Sequence, residues 1–467
     1  MPIDSQHPEY AAMIANWRKA RDAAEGEDAV KAAGATYLPK LAEQSVESYN
    51  AYRTRAMFFG ATGRTIESFV GLIMRKSPNV EVPAQMERIL DSVDGEQTGI
   101  HEFIRQVLAE VFTTGRLGLL VDRPPLEAGG GDPYLAKYLA ENITNWIQTD
   151  GQTRVVLREQ YIEPATNDDI YEQATKTQFR ELIFDGSQYW QVVHRPQAKT
   201  RVYTETEVHP TAGGKPLSFL PFQVINARHV GLAVCKPPLI DLVNVNLSHY
   251  RNSADLEHGR HFTGLPTPVI TGHRTDDPIY IGSERALILP DPGSSAFYME
   301  FSGAGLAELR MAMEEKQKQM AALGARAIEG QRNGIEAAET ARIHQSGEVS
   351  LAVSVIMAVE TGITNALKAI ARWEGLPEDG VKVQINKDLV DAKISSQDLT
   401  ALVSARQAGD LSLESFLWNL KAGEVLPPDR SIDDEKELIA QEKEKTALED
   451  MASAGAADKI TLFPSQG

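Results

Sequence analysis

Between Val349 and Trp373, apolar side chains recur every three or four residues: Val349, Ala352, Ile356, Val359, Ile363, Leu367, Ile370 and Trp373. Side chains so spaced lie along one face of an α-helix, and a stripe this continuous needs a packing partner along its whole length. A helix is therefore expected from about Glu336 to Trp373, as the backbone of a core rather than a surface ornament. Ser346, Gly347 and Ser350 lie in its first half, where local weakening allows a bend. The densest apolar run, Leu351 to Val359, is broken by Ser354 and is about half the length a bilayer requires, so no membrane is expected as a partner.

The remaining chain must supply what covers that stripe. Hydrophobic residues make up 42% and charged residues 24% of the 467 residues, the balance of a folded protein large enough for two or three packed units. Helical spacing runs over His7–Ala24, Glu47–Phe59, Arg64–Met74 and Ile100–Thr114, the last closed by Gly115. Leu117–Val121 reads as a short buried strand, and Gly129–Gly131 as a loop. The period then changes. Arg154–Tyr161, Gln178–Phe184, Tyr189–Arg195 and Thr200–Thr204 are short and rich in β-branched and aromatic residues, with Asp185-Gly186 as a hairpin turn. They predict an antiparallel sheet, to which Phe219–Ile225 adds a strand.

From Pro237 the chain turns helical again. One helix is expected over Leu239–His261. Short strands follow at Pro268–Ile270, Ile279–Ile281 and Ala286–Leu289, and a second helix over Gly305–Leu323. That second helix has a narrow, nearly heptad stripe, Leu306, Leu309, Met313, Met320 and Leu323, interrupted by Lys316 and Lys318, which suits a neighbour of limited width. After the striped helix come a strand, Val381–Ile385, and helices over Ser396–Gln407, Ser412–Leu420 and Asp429–Asp450; the last fifteen or so residues are expected to be unordered. The fold class is α+β.

Motifs for chemistry fail one by one. Gly213-Gly214-Lys215-Pro216 lacks the leading glycine and the hydroxyl of a phosphate loop, and Pro216 removes an amide. His258 and His261 share a helix face, with His249 earlier, but no cysteine or carboxylate completes a zinc set. Asp276-Asp277-Pro278 could hold a cation, yet a turn accounts for it. No catalytic residue, metal or cofactor is expected, and the chain is not expected to be an enzyme. The single cysteine, Cys235, excludes an internal disulfide and is expected as a small buried side chain. The first residues carry neither a basic nor an apolar leader segment, which predicts assembly in the cytoplasm. A net charge of −18 allows two readings: DNA is not a partner, or DNA slides past a weakly repelling wall without being gripped. Arg326 and Arg332 lie in a glycine-containing break with Ile328 and Ile335, by itself an ordinary surface turn.

The order of parts is more informative than any motif. Leu239-Ile240-Asp241-Leu242-Val243-Asn244-Val245-Asn246-Leu247-Ser248-His249-Tyr250-Arg251-Asn252-Ser253 resembles the first stem helix of bacteriophage portal proteins. Gly264-Leu265-Pro266-Thr267-Pro268-Val269 resembles the start of their clip, and Met320-Ala321-Ala322-Leu323-Gly324-Ala325-Arg326 the end of their second stem helix. Tyr37-Leu38-Pro39-Lys40-Leu41 and Phe58-Phe59-Gly60-Ala61-Thr62-Gly63-Arg64-Thr65 are also similar, and the likeness spans about Tyr37 to Glu449.

That resemblance implies a portal fold: a wing over 1–235, a first stem helix over 236–262, a clip over 263–302 and a second stem helix over 303–325. A channel loop over 326–338, a long channel helix over 339–374, a return strand over 375–394 and crown helices with a tail over 395–467 complete it. It implies a homo-oligomeric ring, commonly of twelve subunits, in the virion at the capsid's portal vertex. Double-stranded DNA would pass through it, and the terminase large subunit, the head–tail adaptor, and the major capsid and scaffolding proteins would be partners. The family fixes no single DNA contact; the loop candidates are Arg326, Glu329, Gln331, Arg332, Asn333 and Ile335. For partner binding at the clip they are Arg274, Asp276, Asp277 and Tyr280. The rival readings are an oligomeric protein-binding scaffold outside this family and a metal-dependent nuclease using Asp276 and Asp277.

Overall fold

A computed structural model of the chain describes residues 2–124, 130–164, 173–197, 203–264, 267–272, 289, 292–299, 303–324, 338–387, 389, 396–423, 425–427 and 430–457. The N-terminal spacing gives α1 (Pro8–Glu25), with His7 accepting the Glu9 amide as its cap and proline in the first turn, where no helical hydrogen bond is lost. Next come α2 (Glu27–Ala32), α3 (Val46–Arg55, capped by Ser45) and α4 (Ala61–Ile73). α3 stops short of the Phe59 expected from spacing: Ala56 takes an extended conformation, and the Met57 amide donates to Ser253 Oγ instead of to a helical carbonyl. β1 (Asn79–Glu81), α5 (Glu87–Leu90) and α6 (Ile100–Thr114) follow, and α6 buries the face Phe103, Ile104, Val107, Leu108 and Val111. Gly115 closes it at φ 75°, the left-handed cap in which a side chain is strained.

The β region comprises β2 (Arg116–Asp122), β3 (Tyr134–Leu139), β4 (Ile143–Thr149), β5 (Gln152–Pro164), β6 (Gln173–Phe184), β7 (Tyr189–Pro196), β8 (Tyr203–Val208), β9 (Thr211–Ala212), β10 (Lys215–Pro216) and β11 (Phe222–Asn226). β4 to β8 form an antiparallel meander in sequence order. Its β6–β7 turn is the expected one, with Asp185 Oδ1 accepting the Ser187 and Gln188 amides. β11 does not extend that sheet as expected; it pairs with β2 in a separate sheet ordered β11-β2-β3. That sheet is where the long helix lies.

Next come α7 (Ile240–Gly264), β12 (Thr267–Thr271), β13 (Ser295–Met299), α8 (Ala304–Ala322), α9 (Ala338–Glu374) and β14 (Lys382–Gln384). The strand positions expected at 279–281 and 286–289 lie, but for Leu289, outside the described residues. α9 is helical through 346–350. Its stripe is sealed: Ala352, Ile356, Val359, Ile363, Leu367 and Ile370 are buried, joined by Val355, Ala358, Ala366 and Ala371. They pack on β11, β2, α6 and β14, each large aliphatic side chain contributing about 1.5–3 kcal/mol. A Cβ on Gly362 would collide with Ile225 of β11, so glycine sets the closeness of helix and sheet. Leu351–Glu374 is long and apolar enough to cross a membrane by length and composition; half of it is buried in this core. β14 pairs with β1, Val383 opposite Val80.

Buried charge ties the layers together. Arg21 of α1 bridges Glu110 of α6 and Glu141 beside β4, at 2.7 Å to each. Arg180 of β6 holds Glu159 of β5 at 2.6 Å, and Tyr138 of β3 donates to the same carboxylate at 2.5 Å. Arg116 is fully buried, with no carboxylate in ion-pair contact among the described residues. Its Nη1 donates to Asn226 Oδ1 at 3.2 Å and the Leu232 carbonyl at 2.9 Å, and its guanidinium lies 4.7 Å from the Trp146 ring centre. Burial pulls its pKa down to about 10.

All of this belongs to one compact unit, Met1–Lys387; the second, Asp388–Gly467, begins a few residues before the 395 expected for the terminal helices. It contains α10 (Ser396–Ala408), α11 (Leu413–Ala422) and α12 (Ile432–Ala457). Leu417 of α11 is buried while its neighbour Trp418 is exposed, and Arg430 pairs with Glu435 at 2.8 Å. α12 extends into the tail expected to be unordered.

Candidate functional site

The part of the fold least explained by core packing is the excursion from α7 to α8. The first half of α7 is embedded: Leu242, Val243, Asn246, Leu247, Tyr250, Ala254 and Leu256 are buried. Val243, Leu247, Tyr250 and Ala254 join Tyr37, Leu38, Tyr52 and Phe58 in one apolar cluster. Beyond Leu256 the helix emerges, and 260–264 are exposed. β12 and β13 then pair antiparallel, with Phe297, Tyr298 and Met299 all more than half exposed. α8 returns alongside α7, and among its described side chains only Met320, near the body, is fully buried. Helix pair and ribbon form an arm whose two ends are rooted in the same core.

The contact between the two helices is narrow, as the sequence required. Leu306, Leu309 and Met313 are half-buried and Met320 is buried, and at the outer end a Cβ on Gly259 would collide with Leu306, so the helices approach closely there. Leu323, expected in the stripe, is 39% exposed because α8 ends at Ala322. Lys316, expected to interrupt the stripe, is half-buried on its flank beside His249. Gln317 Nε2 lies 3.3 Å from His249 Nε2, and Phe59 covers the imidazole with ring centres 5.8 Å apart. Burial first, then Lys316, holds the His249 pKa below the usual imidazole range. His258 packs edge-on against Tyr52 and Phe262. Among the described residues no three His, Cys, Asp or Glu side chains form a group that could hold a metal.

The expected channel residues Arg326, Glu329, Gln331, Arg332, Asn333 and Ile335, and the clip residues Arg274, Asp276, Asp277 and Tyr280, all lie outside the described residues. The structure instead supplies their frame: β12 and β13 flank the clip segment, and α8 and α9 flank the loop. Sequence reasoning missed His249, Gln317 and Gly259 as the residues that set the arm's geometry; a glycine inside a helical pattern was the available signal. Elsewhere, a cavity of about 230 Å³ lies between β11, β2 and α9. Arg372 covers one side, stacked on Phe219 at 4.8 Å and held by Glu378 at 2.7 Å. Cys235 is half-buried rather than buried, and burial raises its thiol pKa.

A family model described as a domain of unknown function, DUF4055, matches residues 238–374, bounds that take in α7 through α9. No curated protein matches the chain. Among solved structures it is similar to a chain of the virion of a native gene transfer agent particle, at 13% identity and TM-score 0.37, over 82% of this chain and 96% of that one. It is also similar to a chain in the neck of the native particle computed with C12 symmetry, at 14% identity and TM-score 0.36, over 81% and 94%. A third is in the neck of the empty particle computed with C6 symmetry, at 14% identity and TM-score 0.39, again over 81% and 94%.

Proposed function

We propose that this chain is the subunit of a portal ring in a tailed phage or phage-like particle, a channel and docking platform that performs no bond chemistry. The observation that carries this reading is the arm. Two helices leave and re-enter one core, a β ribbon sits at their outer end, and a 37-residue helix that crosses the same core follows in the chain. The order of helix, ribbon, helix and long helix supports the stem, clip, stem and long channel helix which the sequence resemblance implies. In this reading 273–291, between β12 and β13, meets the terminase large subunit and later the head–tail adaptor. The loop 326–337 faces double-stranded DNA, and the capsid and scaffolding proteins surround the ring. Assembly takes place in the host cytoplasm and the product resides in the virion.

The acidic balance suits such a channel. A ring of about twelve copies, each carrying −18, repels a polyanion and lets it slide, with loop arginines as exceptions. Averaged electron-microscope images of the purified protein test the proposal: a ring with a central hole is expected. A monomer or dimer at assembly concentrations overturns it, as does metal-dependent DNA cleavage abolished by Asp277→Ala.

A further inference from the structure

With 65 acidic and 47 basic side chains, an unpaired basic cluster is the exception in this chain. One is built where α1, α7 and α8 meet. Lys19 donates to Asn244 Oδ1 at 2.8 Å, Arg251 donates to the Tyr37 carbonyl at 3.4 Å, and Lys316 stands on the flank of the α7–α8 seam. None of the three has an ion-pair partner among the described residues. Asp255, one turn beyond Arg251, accepts from Tyr52 Oη at 2.6 Å. Burial and then Arg251 hold both lysines below the usual ammonium range, so the three cations lie close enough to repel. Such repulsion in the isolated chain is relieved when a partner brings carboxylates.

The same arm carries the complementary feature. Glu308, Met311 and Glu315 recur at three- and four-residue steps on the side of α8 turned away from α7; all are exposed, Met311 by 48%. Neither glutamate has a cation partner among the described residues. The two carboxylates stand about 10 Å apart along the helix axis, with an apolar side chain between them. A closed ring built head to tail requires each copy to offer two different faces that fit one another.

We infer that the Lys19–Arg251–Lys316 cluster of one copy receives the Glu308–Met311–Glu315 face of α8 from the next copy. This rests on the ring reading and names its contact. A protein partner fits better than nucleic-acid phosphate for two reasons. The lysine stems are half-buried at a helix junction rather than strung along an exposed groove, and the chain itself supplies the matching acidic face.

The test uses the full chain, with ring formation followed by sedimentation velocity and electron microscopy. Arg251→Glu with Lys316→Glu should raise the concentration for half-assembly at least about tenfold, as should Glu308→Lys with Glu315→Lys. All four reversals in one chain should restore assembly, which mere damage to folding would not allow. The neutral pair Arg251→Gln and Lys316→Gln should give a smaller loss with unchanged circular dichroism. Rings indifferent to the charge reversals, or a fourfold variant no better than the double ones, overturn the inference while leaving the portal reading intact. So do intact rings of the Arg251→Glu/Lys316→Glu variant that have lost affinity for a short DNA duplex, which would assign the cluster to phosphate. A wild-type chain that forms no rings overturns both.

Discussion

Replacing Arg21 by methionine should cost this protein about 3 kcal/mol. The guanidinium leaves α1 and makes four hydrogen bonds of 2.7–3.0 Å, Nε and Nη2 to Glu141, and Nη1 and Nη2 to Glu110. The three side chains are 21%, 11% and 13% exposed, in the order Arg21, Glu141, Glu110. Burial alone would lower the arginine's pKa, but the bonds to Glu141 and Glu110 outweigh it and hold it above the ordinary value. The cation is therefore present at every accessible pH. Methionine fills similar space, so what disappears is the charge, leaving two carboxylates confronted across a dry gap. Removing one partner of a buried ion pair costs about 3–5 kcal/mol, and the residual exposure of Arg21 argues for the lower figure. With a urea dependence of about 3 kcal/mol per molar, the unfolding midpoint should fall by about 1 M. Trp17, buried one turn away on α1, reports the transition by fluorescence at concentrations below assembly. Adding Glu110→Gln and Glu141→Gln should recover most of the loss. A single variant within about 0.5 kcal/mol of wild type, or a triple variant no more stable than the single one, refutes the reasoning.

Three further outcomes are expected. On α4, a Cβ at Gly63 would sit 2.6 Å from the Ala24 carbonyl oxygen, whereas at Gly71 it meets nothing within 4 Å. Gly63→Ala should lower the urea midpoint by about 1–3 kcal/mol equivalent and Gly71→Ala should raise it by about 0.4–1; equal effects would contradict the packing. His249 titrates below 6.5 in the closed arm. Above that pH it is neutral in both states. As pH falls through it, the opened arm takes up a proton that the closed one refuses, so the α7–α8 seam weakens until the closed form titrates too. Amide exchange in α8, corrected for intrinsic rates, should quicken from pH 7.5 to 5.5 and His249→Gln should flatten the change; an unaltered profile would refute this. Deleting Gln331–Ile335 should leave rings intact but impair DNA packaging or retention, and wild-type packaging would remove the channel-loop assignment.

What the sequence disclosed is what depends on neighbours a few positions away. The α9 stripe, the face of α6, the Gly115 stop and the Asp185-Gly186 turn are local and were legible. β3 and β4 were missed because Tyr134–Leu139 and Ile143–Thr149 have no strong turn signal between them, only a single helical turn at Ala140–Asn142. The partnership of β11 with β2 joins segments about a hundred positions apart, and no spacing rule reaches that far. Arg21, Glu110 and Glu141 carry no signal in the sequence, because their mutual burial exists only once three elements have packed. The arm was legible as an order of parts; its seam of His249, Gln317 and Gly259 was not, since each residue alone has an ordinary explanation.

The pairing of β1 with β14 has a consequence for how the protein is made. Val80 and Val383 are 303 positions apart, and α9, which seals β2, β11 and α6, ends only at Glu374. During synthesis at about 5–20 residues per second, the early segments wait about 15–60 s for the elements that cover them. Throughout that interval the apolar face of α6 and one face of the β2 sheet are open to the wrong company. Nascent chains should therefore be clients of holding chaperones until the ribosome has passed β14. Truncation before α9 should yield aggregates, whereas loss of the chain after Lys387 should leave a body that folds.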